Sequence, residues 1–268
     1  MTSSAEKRCA PPSQVDGDVV QISRTGNVRV VTLNRPHKRN ALNEAVFSGL
    51  KRAFEEVDPD VRVTVLAGSS SDFCAGLDLA EHQHREPFES VKFAREGHGI
   101  FNAIQFGATP VISVLTGAVI GGGLEIAGAT HIRVADKTAY YQLPEGRRGI
   151  YVGGGASVRI SKIIGSGRMI EMMLTGRKID AQQGQDLGLS HYLVDEGQAF
   201  AKAMELAEIV AGNAPIPNYL ILHAIPHIED MSSADGLFTE SIAQALSLTS
   251  SDAKAGIEAF LNRRKINF

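Results

Sequence analysis

Residues 116–128 read T-G-A-V-I-G-G-G-L-E-I-A-G, and the apolar run 111–115, V-I-S-V-L, leads into them. The run has the length and β-branched content of a buried strand. Gly121, Gly122 and Gly123 form a turn, and 124–129 predicts the start of a buried helix. Strand, glycine turn and helix start together make an anion site. Glycines let a ligand approach the backbone closely, and the unpaired N–H groups of the first helical turn point at it. Glu125 lies just inside that turn. The helix dipole favours a carboxylate there, so spacing alone leaves a dipole-stabilising glutamate and a catalytic one equally open.

Outward from this centre, the N-terminal half alternates strand and helix signals. Residues 19–23 and 28–33 are β-branched runs split by Thr25-Gly26-Asn27, a hairpin pattern. Pro36 biases Arg35 away from helix. Leu42, Val46, Leu50, Phe54 and Val57 recur at helical spacing, with Asn40 or Asn43 as the cap. Residues 61–67 predict a strand and 91–106 a helix. Beyond the glycine turn, 131–135 and 139–143 are extended, and 144–149 is a turn-rich loop. Gly153, Gly154 and Gly155 precede a helix over 156–164 carrying Arg159 and Lys162. This second glycine-rich helix entry is either another anion site or a close-packed turn. Helices over 169–174 and 181–187, the latter capped by Asp180, lead to a last short strand at 191–194. From Gln198 onward only helices are predicted, over 199–211, 217–227, 234–248 and 252–264. The expected organisation is a loose polar tail at 1–17, an α/β core at 18–197 and a helical region at 198–268.

Composition narrows the function classes. The chain of 268 residues can bury a sizeable core, and its 43% hydrophobic and 21% charged residues are ordinary for a globular protein. A net charge of -3 argues against a nucleic-acid partner. Two cysteines, Cys9 and Cys74, supply no disulfide framework, which suits a reducing cytoplasm. No signal-type segment or membrane-length apolar stretch is read, so a cytoplasmic location is expected. His82 and His84 lie two apart with no third ligand in register, which reads as a solvated loop rather than a metal site. Phosphate-loop, dinucleotide and nucleophile-elbow motifs are absent. What remains is two glycine-bearing turns, at 75–77 and 121–123, and two carboxylates, Glu125 and Glu145. Two backbone N–H groups aimed at one point make an oxyanion hole, and two carboxylates beside it can handle a proton and a water.

Four motifs, N-R-P-H-K-R-N-A-L at 34–42, F-C-A-G-L-D at 73–78, G-A-V-I-G-G-G-L-E at 117–125 and L-P-E-G-R-R-G-I at 143–150, resemble the crotonase superfamily, the enoyl-CoA hydratase/isomerase family. The resemblance covers roughly residue 19 to the C-terminus. It implies a crotonase (ClpP-like) spiral of repeated β-β-α units with a helical C-terminal trimerisation region. It also implies an acyl-CoA thioester substrate and a homotrimer or homohexamer. By the same resemblance, Leu77 and Gly122 supply the oxyanion N–H groups. Glu125 resembles the glutamate that holds and activates water, and Glu145 the one that exchanges a proton with the substrate α-carbon. Lys38, Arg39 and Ala41, with Ala75 and Asp78, fall where coenzyme A is bound in the family, more by backbone than by side chain.

Both glutamates together favour a 2-enoyl-CoA hydratase without metal or nicotinamide. An isomerase, another enolate-forming crotonase, or a catalytically silent acyl-CoA-binding protein are the alternatives. A pairing of Glu145 with Arg147 or Arg148 would lower its pKa and spoil an acid role. The sequence departs from the family pattern at Gln142, at Arg147-Arg148 and at 149–155, and there Gln142 or Tyr151 is expected to select a polar or ring-bearing acyl group.

Overall fold

The computed structural model describes residues 18–81 and 85–268. The expected tail at 1–17 and the His82–His84 loop lie outside the described residues. Strands β1 (Val20–Thr25) and β2 (Val28–Leu33) form the expected antiparallel hairpin, with Gly26 at φ 58 in its turn. Helix α1 (Glu44–Glu55) starts where the Asn43 side chain accepts the Val46 N–H. Strand β3 (Val63–Gly68), helix α2 (Pro87–Gln105) and strand β4 (Val111–Leu115) follow. After them come β5 (Ala118–Ile120), α3 (Gly122–Gly128), β6 (Ile132–Asp136) and β7 (Tyr140–Gln142). The chain then runs through α4 (Ala156–Ile164), α5 (Ser166–Thr175), β8 (Ile179–Asp180), α6 (Ala181–Asp186) and β9 (Tyr192–Val194). Helices α7 (Ala199–Ala211), α8 (Pro215–Ile228), α9 (Ser233–Leu248) and α10 (Ser251–Leu261) complete it.

The strands divide between a six-stranded sheet in the order β1-β2-β3-β4-β6-β9 and a three-stranded sheet in the order β5-β7-β8. From β2 to β9 the large sheet is parallel, and these strands are apolar on both faces as a covered parallel sheet requires. The chain visits the two sheets in turn: β4 then β5, β6 then β7. That alternation is the repeated β-β-α spiral. Two short strands, β5 and β8, were not read from sequence. Ala118–Ile120 is its own strand, turned into the small sheet by Gly117 at φ 50. The following helix also begins earlier than predicted, at Gly122, because two of the turn glycines form its first residues.

One apolar core fills the space between the large sheet and α1 to α5, and a second covers the opposite sheet face. Helix α7 supplies Ala199, Ala203, Leu206 and Ala207 to this second core, a single face at helical spacing. The first helix of the expected C-terminal region therefore packs as part of the sheet's own cover. The remaining tail splits by face: Leu222 is buried, while Leu237, Phe238, Leu246 and Phe260 are exposed on the chain. No helix of the described residues is long and apolar enough to cross a membrane.

Candidate functional site

Two motifs distant in sequence are sewn together first. Buried Arg35 reaches the Ala41 carbonyl at 2.8 Å, Asp78 at 3.2 Å and Glu81 at 2.7 Å. Leu42 N–H donates to the Gly76 carbonyl at 2.8 Å, and Asp78 N–H to the Leu42 carbonyl at 2.9 Å. Peptide groups alternate in direction along such an extended pairing, so the Leu77 N–H faces the other way, into the cavity Leu77 lines. Cys74 N–H bonds to the Ala118 carbonyl and Ile120 N–H to the Cys74 carbonyl, which lays 74–77 along 118–122. Gly122 opens α3, so its N–H has no acceptor within the helix. Neither N–H has a hydrogen-bond partner among the described residues. They are neighbours: a Cβ added to Gly122 would lie 3.7 Å from the Leu77 nitrogen, and 2.8 Å from Leu42 Cδ1. Gly121, at φ 51 and ψ −122, and Gly76, at φ 91, hold backbone that other residues adopt only under strain.

A cavity of about 280 Å³ opens over these N–H groups. Glu125 and Glu145 both line it, with Phe47, Phe93 and Phe101 from α1 and α2 and Ile150, Tyr151 and Val152 from the loop before α4. Glu125 is buried, and its Oε1 accepts the Gly154 N–H at 2.7 Å and the Ala156 N–H at 3.1 Å. The second glycine-rich helix entry is thus an anion site, and the anion is the chain's own Glu125 carboxylate. Burial raises the Glu125 pKa; the two N–H donors and the positive charges of His98 and Arg159 work against that rise. Glu145 sits in a 3₁₀ turn over Glu145–Arg148, and its buried Oε2 has no hydrogen-bond partner among the described residues. Burial pushes it up to about 6, reinforced by the nearby Glu125 charge and opposed by Arg148. Two carboxylates raised by burial, beside two unpartnered N–H donors, can exchange protons while an oxyanion is held.

The enoyl-CoA hydratase/isomerase family pattern matches residues 23–268. The chain belongs to this family. It is 34% identical to the enoyl-CoA hydratase EchA19 of Mycobacterium tuberculosis, covering 92% of this chain and 95% of that one. A solved candidate enoyl-CoA hydratase of Rhodopseudomonas palustris is 44% identical and superposes with a TM-score of 0.90, over 91% of this chain and 95% of that one. The enoyl-CoA hydratase of Bacillus anthracis is 29% identical with a TM-score of 0.89, over 94% and 99% of the two chains. The fold is therefore the crotonase fold, and the family acts on acyl-CoA thioesters.

Within this enoyl-CoA family fold, Leu77, Gly122, Glu125, Glu145 and Ala75 meet at one cavity. The other residues expected at coenzyme A lie off it. Lys38 is exposed, and Ala41 is buried with its carbonyl taken by Arg35. The Arg39 guanidinium is bound to Asp72 at 2.9 and 2.8 Å and to the Tyr140 hydroxyl at 2.7 Å. Asp78 is held in the buried pair with Arg35. Gln142 does not line the cavity; its amide donates to the Gly176 carbonyl at 2.6 Å, which removes it from the acyl pocket. Arg147 turns to the Thr175 carbonyl, so it makes no pair with Glu145. Arg148 and Tyr151 do line the cavity. The aromatic wall from Phe47, Phe93 and Phe101 was missed, because helical periodicity reads such residues as plain core.

Proposed function

We propose that the chain is a 2-enoyl-CoA hydratase. The observation that supports this most is that Glu125 and Glu145 face one cavity together with the unpaired Leu77 and Gly122 N–H groups. The thioester carbonyl accepts both N–H groups, which hold the negative charge that develops on its oxygen and contribute about 2.7–4 kcal/mol per donor. Glu125 uses Oε1 on the Gly154 and Ala156 N–H groups, leaving Oε2 to orient a water. The water oxygen bonds to the β-carbon as its proton passes to Glu125, and the π electrons move onto the carbonyl oxygen as an enolate. Glu145 then gives a proton to the α-carbon, the enolate collapses, and the proton held by Glu125 passes to Glu145, restoring the starting protonation state. The N–H pair does the polarising that a Lewis acid would do, so the proposed reaction needs no metal or redox cofactor.

Assembly follows from the same reading. The exposed apolar faces of α9 and α10, with Leu237, Phe238 and Phe260, need a surface, and a trimer or a hexamer of two trimers supplies it.

The test is direct. Mixed with a short 2-enoyl-CoA, the protein is expected to remove the conjugated thioester absorbance and to give a product heavier by one water. A product of unchanged mass would move the assignment to isomerase, and binding without turnover to the silent acyl-CoA binder.

A further inference from the structure

Arg159, on α4, lines no part of the cavity, yet its guanidinium joins three elements around it. Nε donates to Gln105 Oε1 at 2.6 Å and Nη2 to Asn102 Oδ1 at 2.6 Å, both on α2. Nη1 donates to the Gly154 carbonyl at 3.1 Å. The N–H of that same Gly154 holds Glu125 Oε1 at 2.7 Å. The side chain is half-buried, so these bonds are partly shielded from water. Space around Gly154 is also closed, since an added Cβ would fall 2.5 Å from Phe101 and 2.7 Å from Glu125 Oε2. Glu125 can therefore keep one oxygen on the backbone and the other toward the cavity only while the 153–155 turn stays in place.

We infer that Arg159 is a positioning residue for the hydration step: by tying the 153–155 turn to α2 it fixes the Gly154 N–H, and through it the orientation of Glu125. A turn of three glycines has the least intrinsic stiffness of any such segment, so its position must be imposed from outside. The Arg159 bonds tie that turn to α2, beside the Glu125 bond that ties it to α3. A lysine keeps the charge but offers a compact ammonium in place of the planar fork that spans α2 and the turn together.

The inference rests on the hydratase reading in giving Glu125 the water, and the experiment separates the two. Steady-state hydration of a 2-enoyl-CoA is measured across pH for wild type, Arg159→Gln and Arg159→Lys. In Arg159→Gln, kcat is expected to fall on the order of 100-fold with KM little changed, as for a displaced catalytic group in an intact binding cavity. The charged groups around Glu125 are His98 from α2, Glu145 from the turn after β7, and Arg159 itself. Removing the Arg159 cation makes Glu125 ionise at higher pH, so the acid limb of kcat/KM moves upward in Arg159→Gln. In Arg159→Lys kcat falls while that limb stays near its wild-type place. Should Arg159→Gln fail to fold, the pair Asn102→Ala/Gln105→Ala cuts the α2 anchor with Arg159 in place, and a loss in kcat alone is expected. Wild-type kcat in these variants, a loss confined to KM, or an unmoved acid limb in Arg159→Gln would overturn the inference. If the wild-type protein isomerises enoyl-CoA without adding water, the hydratase reading has failed, and the same comparison is made on isomerase turnover.

Discussion

Glu145→Gln is expected to slow the enzyme and stabilise the protein at the same time. Glutamine keeps the side chain's shape but has no proton to give the α-carbon, so kcat should fall by roughly 10²–10⁴, the scale of a positioned general acid. The stability change has the opposite sign. The folded Glu145 pKa is raised from 4.5 to about 6, chiefly by burial. The folded state therefore binds this proton more tightly than the unfolded chain, and the contribution is fully present below about 4.5 and lost as pH rises through about 6. At about 1.36 kcal/mol per unit the whole shift sets a ceiling of about 2 kcal/mol, which contact with the open cavity reduces to about 1 kcal/mol. Glutamine does not titrate, so the variant should gain on wild type between these two values and be about 1 kcal/mol more stable at neutral pH. For a chain of this size that is a rise of about 2–4 °C in Tm. Thermal melts of both proteins at acid and neutral pH, paired with hydration kinetics, read both quantities. A pH-independent difference in Tm, or wild-type kcat in the variant, would refute the reasoning.

Glu125→Gln is expected to fold normally, because the amide oxygen can keep the Gly154 and Ala156 N–H bonds, while kcat falls by roughly 10²–10⁴. Combined with Glu145→Gln, kinetics should show the double variant little worse than the poorer single, since the two act on one water and one substrate; independent, multiplying losses would count against that. Gly154→Ala places a Cβ 2.5 Å from Phe101 and 2.7 Å from Glu125 Oε2. It should cost about 1–3 kcal/mol by urea unfolding and lower kcat about 100-fold through displaced Glu125.

Most of the fold was legible where one physical signal dominated. The Asp180 cap, the hairpin at Gly26 and strand β4 all followed from local chemistry that tertiary packing did not override, and of the two cap candidates before α1 the structure uses Asn43. Strand β5 was not legible: three apolar residues carry no period, and only the pairing with β7 makes them a strand. Glu125 could not be separated from a dipole-stabilising glutamate by spacing, since the deciding partner is a backbone N–H at Gly154, in another helix entry. Gln142 and Tyr151 were equal candidates for the acyl pocket. The Gly176 carbonyl, contributed by the turn after α5, takes one of them away.

Both glycine turns lead into a helix, with different backbone angles at the cap, and in the proposed reaction they serve different anions. At 121–123 the Gly122 N–H has no partner among the described residues, and in the proposed reaction it receives an oxygen that becomes charged only during the step. At the second entry the Gly154 and Ala156 N–H groups donate to Glu125, on one oxygen of the two. Those donors favour the ionised form against the burial that raises the Glu125 pKa. Glu145 lacks such donors at Oε2, and burial pushes its pKa up to about 6, with the Glu125 charge adding to the rise. In the proposed reaction an enoyl chain against Phe47, Phe93 and Phe101 would displace water and raise the Glu145 pKa further. In the proposed reaction the carboxylate that the backbone has already paired is the base, and the one it leaves unpaired is the acid.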